Sequence, residues 1–407
     1  SVSQKVQDMV YPEPNLPGQG IYKMTQNFYA DPGGAYNSDV YSFRGDHKIS
    51  DRNLLFVRVG LTINNLNLYP GPLKNAYGSS DNYNIPGRSV VVSDTHNFTP
   101  NLVNEVKLGF NRTFNDRKEW NVGVDVRSQL GIKGIDNPQN DPLINAMPQF
   151  SFGGAIPIAT TTSGRFLIQS QNTYQVIDNV SWIKGRHSIK FGVDIRRLQV
   201  NNSNKPLTIR GAYSFDDRLS GLAYANFLLG WPSSATHGVA RPNAYVRSTY
   251  TGFYVQDDFK LHPRITVNYG LRYEYQLPWV EKFDRLFTFG PSTGSMVTAG
   301  SSIPRDLVPA VAATLPIRTA KDAGLPLRSL MFNDGNNFNP RIGIAYRPFG
   351  DATTVVRAGY GIYTQFWPGL LGLNATGGPW QSTESFPLLD PNTCLLYTSP
   401  SPRDRTR

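Results

Sequence analysis

Arg264-Ile265-Thr266-Val267-Asn268-Tyr269-Gly270-Leu271-Arg272-Tyr273-Glu274-Tyr275 alternates along its whole length. Ile265, Val267, Tyr269, Leu271, Tyr273 and Tyr275 fall on one side; Arg264, Thr266, Asn268, Gly270, Arg272 and Glu274 fall on the other. Successive side chains of a strand point to opposite faces, so the stretch reads as a strand with one apolar and one polar side. Its length is about twice the ~5–6 residues usual in soluble proteins. It is close to the ~9–11 tilted residues with which a strand of a closed barrel crosses a bilayer.

The same pattern recurs as strand-turn-strand units. Asp39–Ile49 precedes Asn53–Asn65, and Ser89–Phe98 precedes Leu102–Asn115 across Thr99-Pro100-Asn101. Tyr174–Ile183 precedes His187–Leu198 across Lys184-Gly185-Arg186, and Thr251–Leu261 leads through His262-Pro263 into the opening stretch. Pro340–Arg347 precedes Thr354–Tyr363. Gly and Pro at the junctions suit tight reversals. Between units the chain is long and rich in Gly, Pro, Asn and Ser: Leu66–Arg88, Asp116–Thr173, Gln199–Tyr250 and Gln276–Asn339. Alternation alone fits a soluble sandwich as well as a membrane barrel. Strand length, and the contrast of short turns with long connections, favour an all-β fold: a partial antiparallel transmembrane β-barrel with short periplasmic turns and long extracellular loops.

Composition agrees. Hydrophobic residues make up 39% of the 407, and no apolar run approaches the ~18 residues of a membrane helix. A barrel strand carries its apolarity at alternate positions, so a low average is compatible with lipid. Tyr (21) and Phe (22) are plentiful, as barrel interfaces require. The net charge of +10 is spread along the chain without a cluster, which argues against a nucleic-acid partner.

Gly211–Asp216 and Tyr224–Trp231 are candidate extra strands, and Arg305–Ala323 is a candidate short helix limited by Pro309 and Pro316. The ten strands of the units compare with about 22 in plugged barrels, so residues 1–393 are expected to be an incomplete wall, unstable alone. The chain opens at Ser1 with no charged n-region, apolar h-region or cleavage site, and it is expected to start in mid-protein. Residues 394–407, from Cys394-Leu395-Leu396-Tyr397-Thr398-Ser399, resemble the translation of a transposase-type sequencing-library adapter and are expected to be a non-native tail. The only cysteine lies there.

Several blocks resemble the barrel of TonB-dependent receptor-like proteins of the Oar type. They are Asn172-Thr173-Tyr174-Gln175, Gly185-Arg186-His187-Ser188-Ile189-Lys190-Phe191-Gly192, Gly252-Phe253-Tyr254-Val255-Gln256-Asp257-Asp258-Phe259, Gly270-Leu271-Arg272-Tyr273-Glu274 and Asn339-Pro340-Arg341-Ile342-Gly343. They occur in order over most of Asp39–Tyr363. The resemblance implies an outer-membrane location, with outer-membrane lipid around the wall. It also implies a plug and a regulatory-like domain upstream, coupling to the TonB energy-transducing complex, and import of a large external solute such as an oligosaccharide or peptide. Neither a plug nor a TonB box is visible in the sequence. A surface-adhesion barrel and a secreted carbohydrate-binding β-protein are the alternatives.

Chemistry-bearing residues form no constellation. His47, His96, His187, His237 and His262 are scattered, without zinc-ligand spacing. Asp257-Asp258 and Asp216-Asp217 are adjacent on strand-like segments, so each pair splits between two faces; lumen-facing ionic contacts are expected. Asp334-Gly335-Asn336-Asn337 reads as a turn. No nucleophile elbow, phosphate loop or dinucleotide fingerprint occurs, and no catalytic residue, cofactor or metal is expected. Ligand-binding residues stay unassigned. Trp120, Trp231, Trp279 and Trp367 could stack on sugars; Trp279 and Trp367, just past strand ends, suit an interfacial belt.

Overall fold

The computed structural model describes residues 1–20, 23, 26–29, 33–68, 81–119, 121–132, 141–153, 158, 165–239, 242–349 and 353–387. Trp120 and residues 394–407 lie outside them. Ten wall strands run in chain order: β1 (Gly34–Ser50), β2 (Asn53–Leu68), β3 (Gly87–Thr99), β4 (Leu102–Glu119) and β5 (Arg165–Lys184). They continue with β6 (His187–Pro206), β7 (Ala244–His262), β8 (Ile265–Gln276), β9 (Phe338–Tyr346) and β10 (Val356–Gly361). Each is antiparallel to the next. Two short strands, Asp81–Asn84 and Val280–Glu281, extend the same sheet.

All five expected units are present, and most of their strands are longer than the sequence indicated. β5 and β6 are 20 residues each; their outer halves lie in segments expected to be loop. Gln199–Asn204 continues the ladder although its alternation has faded into mostly polar residues: Gln199–Asn202 pair with β5 and β7, and Ser203 and Asn204 with β5.

Register reveals a stagger. Asn53, the first residue of β2, aligns through His96 with Asn104, the third residue of β4. Leu102 opens β4 and aligns through Trp182 with Ile189, the third residue of β6. His187 opens β6 and aligns through Phe259 with Val267, the third residue of β8. A shift of two residues per hairpin is about one per strand. With ~3.3 Å rise and ~4.8 Å strand spacing this tilts the strands by about 35°, as in membrane barrels.

The two faces differ as the alternation demands. Val57, Val92, Leu108, Val176 and Ile195 stand side by side in one cross-strand row, and Leu108 is 52% exposed. Phe191, Val255 and Leu271 form part of another exposed row. Among the described residues no second sheet covers these rows. The buried apolar clusters lie instead among the connections and the ends of the strands that enter them.

Those connections fold. Helix Val2–Val10 packs with helices Val126–Leu130 and Ala223–Leu229 around Met147, Phe150 and Phe215. The expected strand Tyr224–Trp231 is therefore a helix. Ala223 and Phe227 lie on one helical face and pack inward, and Gly230, in the left-handed region at φ 74°, caps it with bonds to Asn226 and Phe227 carbonyls. The expected strand at Gly211–Asp216 is present as Ala212–Phe215, in a four-stranded sheet with Gln149–Phe152, Ser234–Val239 and Ser382–Pro387. The helix expected within Arg305–Ala323 spans Pro309–Thr314, with Pro309 in its first turn.

Leu271 lies six residues beyond the start of β8, about 16 Å above its turn and near mid-bilayer height. Leu271→Arg in the natural gene product should cost ~2–4 kcal/mol of membrane-folded stability, read from urea unfolding and heat-modifiable migration. Thr266→Arg, on the polar side, should cost less than half of that; equal effects would contradict the assignment of faces.

Candidate functional site

The polar side of the alternation converges on the concave face of β5 to β9. Asp194 on β6, 8% exposed, accepts hydrogen bonds from Gln175 Nε2 at 2.8 Å and Arg196 Nη2 at 2.6 Å. Arg272 Nη2 lies 3.9 Å from the same carboxylate and donates to the Tyr250 hydroxyl at 2.7 Å, while its Nε donates to Glu274 at 2.9 Å. Tyr250 donates in turn to Glu274, whose other oxygen accepts from Asn339 Nδ2 at 2.8 Å. Charges drawn into a partly dry wall are thus paired and hydrogen-bonded.

Glycine makes room for these long side chains. Gly192 lies directly opposite Tyr254, and a Cβ there would fall 2.7 Å from the tyrosine ring and 2.5 Å from the Asp178 carbonyl oxygen. Tyr254 consequently crosses β6 and donates to Asn179 Oδ1 at 2.7 Å on β5. Beside it a concavity of about 850 Å³ is lined by Lys190, Gln256, Asp258, Arg272, Arg341 and Tyr363. A cavity of this size with basic, amide and phenol groups can hold a polar solute or a polar protein segment.

Above the wall the connections are tied down by buried pairs. Glu119 and Arg210, both fully buried, form a bidentate pair at 2.7 and 2.8 Å, with Phe166 under the guanidinium at 5.0 Å. Glu281, also fully buried, accepts from the backbone amides of Tyr245, Phe283 and Arg285. Asp306 accepts from Arg285 Nη2 at 2.7 Å and Trp380 Nε1 at 3.0 Å. Burial opposes ionisation of Asp306, but these donors outweigh it and hold its carboxyl below the usual range.

Asp258 faces the concave side and accepts from Asn268. Asp257 does not join it in a lumen-facing network: it points outward, 2.6 Å from His187 Nδ1 and 2.7 Å from the Tyr269 hydroxyl. These partners lie on the two neighbouring strands, and only register brings them to Asp257. His187 is thus a strand residue, stacked on Phe259. Asp216 pairs with Arg218, and Asp334–Asn337, expected as a turn, is an irregular stretch in which the Asn337 side-chain amide donates to the Asp334 carbonyl. Trp279 leaves the expected belt and is buried with Val200, Val246 and Leu286, donating to the Trp367 carbonyl at 3.1 Å. Trp367 itself is exposed. Trp182, not singled out from sequence, stands on the outer face near the turns. Among the described residues no group of three or more His, Cys, Asp or Glu could hold a metal ion.

A staggered, tilted wall with an exposed apolar side and a polar concave side defines a transmembrane β-barrel wall. A family model described as outer membrane beta barrel domain matches residues 1–404, and the chain belongs to that family. Its place is the outer membrane. No curated protein matches the sequence. Among solved structures it is similar to the ferripyoverdine receptor of Pseudomonas aeruginosa, at 12% identity and TM-score 0.46 over 81% of this chain and 35% of that one. It is also similar to the transporter YddB of Escherichia coli, at 9% and 0.45 over 81% and 32%. The alcaligin receptor FauA of Bordetella pertussis gives 10% and 0.43 over 80% and 35%. The chain thus spans about a third of the length of these proteins.

Breaking the buried pair by Arg210→Met should leave the Glu119 charge stranded and destabilise the loop core by ~3–5 kcal/mol. The double variant Glu119→Leu with Arg210→Met should recover most of that. Limited proteolysis of the loops in the assembled protein measures both, and an unaltered cleavage rate in Arg210→Met would contradict the pair's role.

Proposed function

We propose that this wall is part of the barrel of a TonB-dependent, Oar-like receptor that binds a large external solute at its folded loops and imports it. The loops supply the outer binding surface, and the concave polar wall faces the passage. A plug upstream would occupy that passage until TonB rearranges it, and the solute class in view is an oligosaccharide or a peptide. The reading rests on the ordered sequence blocks that resemble such receptors. The single observation that carries it is the joining of a polar concave wall to loops with cores of their own. Trp279 illustrates the join, packing on Val200 and Val246 of the wall and on Leu286 and Leu373 of the connections. Residues 394–407 fit a non-native tail, and residues 1–393 an incomplete wall.

The test is direct. In cells producing the natural gene product, the upstream sequence should encode a plug with a TonB box. A cysteine placed in that box should form a disulfide cross-link with the periplasmic domain of TonB. Absence of a plug, with no cross-link, would favour the adhesion barrel.

A further inference from the structure

The outward face holds arginines that its apolar character does not explain. Tyr41, Leu61, Arg88, Arg112, Asn172, Gln199 and Arg247 form one continuous cross-strand row from β1 to β7. The next row toward the turns contains Val90, Phe110, Tyr174 and Arg197. Arg88, Arg112 and Arg197 are exposed and belong to the same outward face as Leu108, Val176 and Ile195.

Their height is specific. Arg112 lies ten residues past Leu102, where β4 begins, and Arg197 ten past His187, where β6 begins. Ten residues at ~3.3 Å, tilted by about 35°, climb about 27 Å, close to the ~25 Å apolar band of such barrels. Arg88 lies eleven residues before the end of β3 at Thr99. All three guanidinium groups therefore reach the outer-leaflet headgroup level, directly above Val90, Phe110 and Ile195.

Their surroundings bear on this too. On the concave face Arg196, Arg272 and Arg44 are paired with Asp194, Glu274 and Asp46, while Arg58 donates to the Ser42 hydroxyl and Arg341 lies over the Tyr363 ring. Among the described residues Arg88, Arg112 and Arg197 have no carboxylate partner; Arg197 donates only to the Thr249 hydroxyl, at 2.7 Å. Arg88 and Arg112 sit directly opposite each other, where like charges are ~5 Å apart at Cβ and repel. An anion between them removes that penalty. Arg197 is two strands from Arg112, about 10 Å across the sheet, and offers a second cationic point.

We propose that Arg88, Arg112 and Arg197 bind the phosphates of a bisphosphorylated glycolipid of the outer leaflet, whose acyl chains lie on the apolar rows below. This site is on the lipid side of the wall and is independent of the transport reading.

The natural gene product, purified in detergent, is titrated with diphosphoryl lipid A and with its dephosphorylated form. Each charge contributes about fivefold at a membrane surface, so the triple variant R88Q/R112Q/R197Q should bind diphosphoryl lipid A on the order of a hundredfold more weakly. Removing the phosphates should weaken wild-type binding comparably. Arg58→Gln, on the concave face of β2, should change nothing. Equal binding by the triple variant, or by dephosphorylated lipid, would overturn the proposal. Displacement of the lipid by inorganic phosphate at equal concentration would reduce the site to a free-anion site and overturn it as well. If the triple variant fails heat-modifiable migration, two others decide: Arg112→Gln should lose about fivefold and Arg112→Lys less than half of that. Equal affinities in those two would count against it.

Discussion

Backbone amides and carbonyls in a bilayer have no water to bond with, and each one left unpaired costs several kcal/mol. The whole arrangement of this chain follows from that constraint. Ladders between consecutive strands satisfy the backbone, and the side chains are then sorted by the pleat into a lipid row and a lumen row. A one-residue slip would exchange the rows, placing Arg272 and Glu274 in lipid and Leu271 in the lumen. The constraint thus fixes register, and register fixes the stagger that tilts the strands.

The consequences on the two sides differ. On the concave side, charges are paired within a strand, as Arg196 with Asp194 and Arg272 with Glu274, and across two strands, as Arg272 with Asp194. Glycines on that face, such as Gly192 beneath Tyr254, allow bulky polar side chains to lie against the sheet. On the outer side, polar groups gather near the turns and near the outer-leaflet level. Asp257 is closed by His187 and Tyr269, and Asp178 by Asn104. Above the apolar band, the connections carry the buried cores and ion pairs that a soluble domain would have.

How much of this was legible in the sequence depended on range. Alternation around Leu55–Ile63, Ile189–Ile195 and Ile265–Tyr275 located the wall strands, because a period of two is a local property. Strand ends were less legible: Asn201–Lys205 is polar at nearly every position and is held in the ladder only by its neighbours. The Tyr224–Trp231 segment read as a strand because a short apolar run has no decisive period, whereas tertiary packing of Ala223 and Phe227 selected helix. The candidate site was least legible. Glu119 and Arg210 are 91 positions apart, and Arg88 and Arg112 meet only through register, so neither pair leaves a motif. Trp279 looked like a belt residue by position, yet its chain turns inward over Val200 and Val246.

A depth-quenching scan along β8 measures directly which of its side chains face lipid. Single fluorescent labels at successive positions from Val267 to Tyr273, in the natural gene product reconstituted with brominated lipid, report contact with acyl chains. Strong quenching is expected at Val267, Tyr269, Leu271 and Tyr273, and weak quenching at Asn268, Gly270 and Arg272. Uniform quenching, or the opposite alternation, would contradict this assignment of faces.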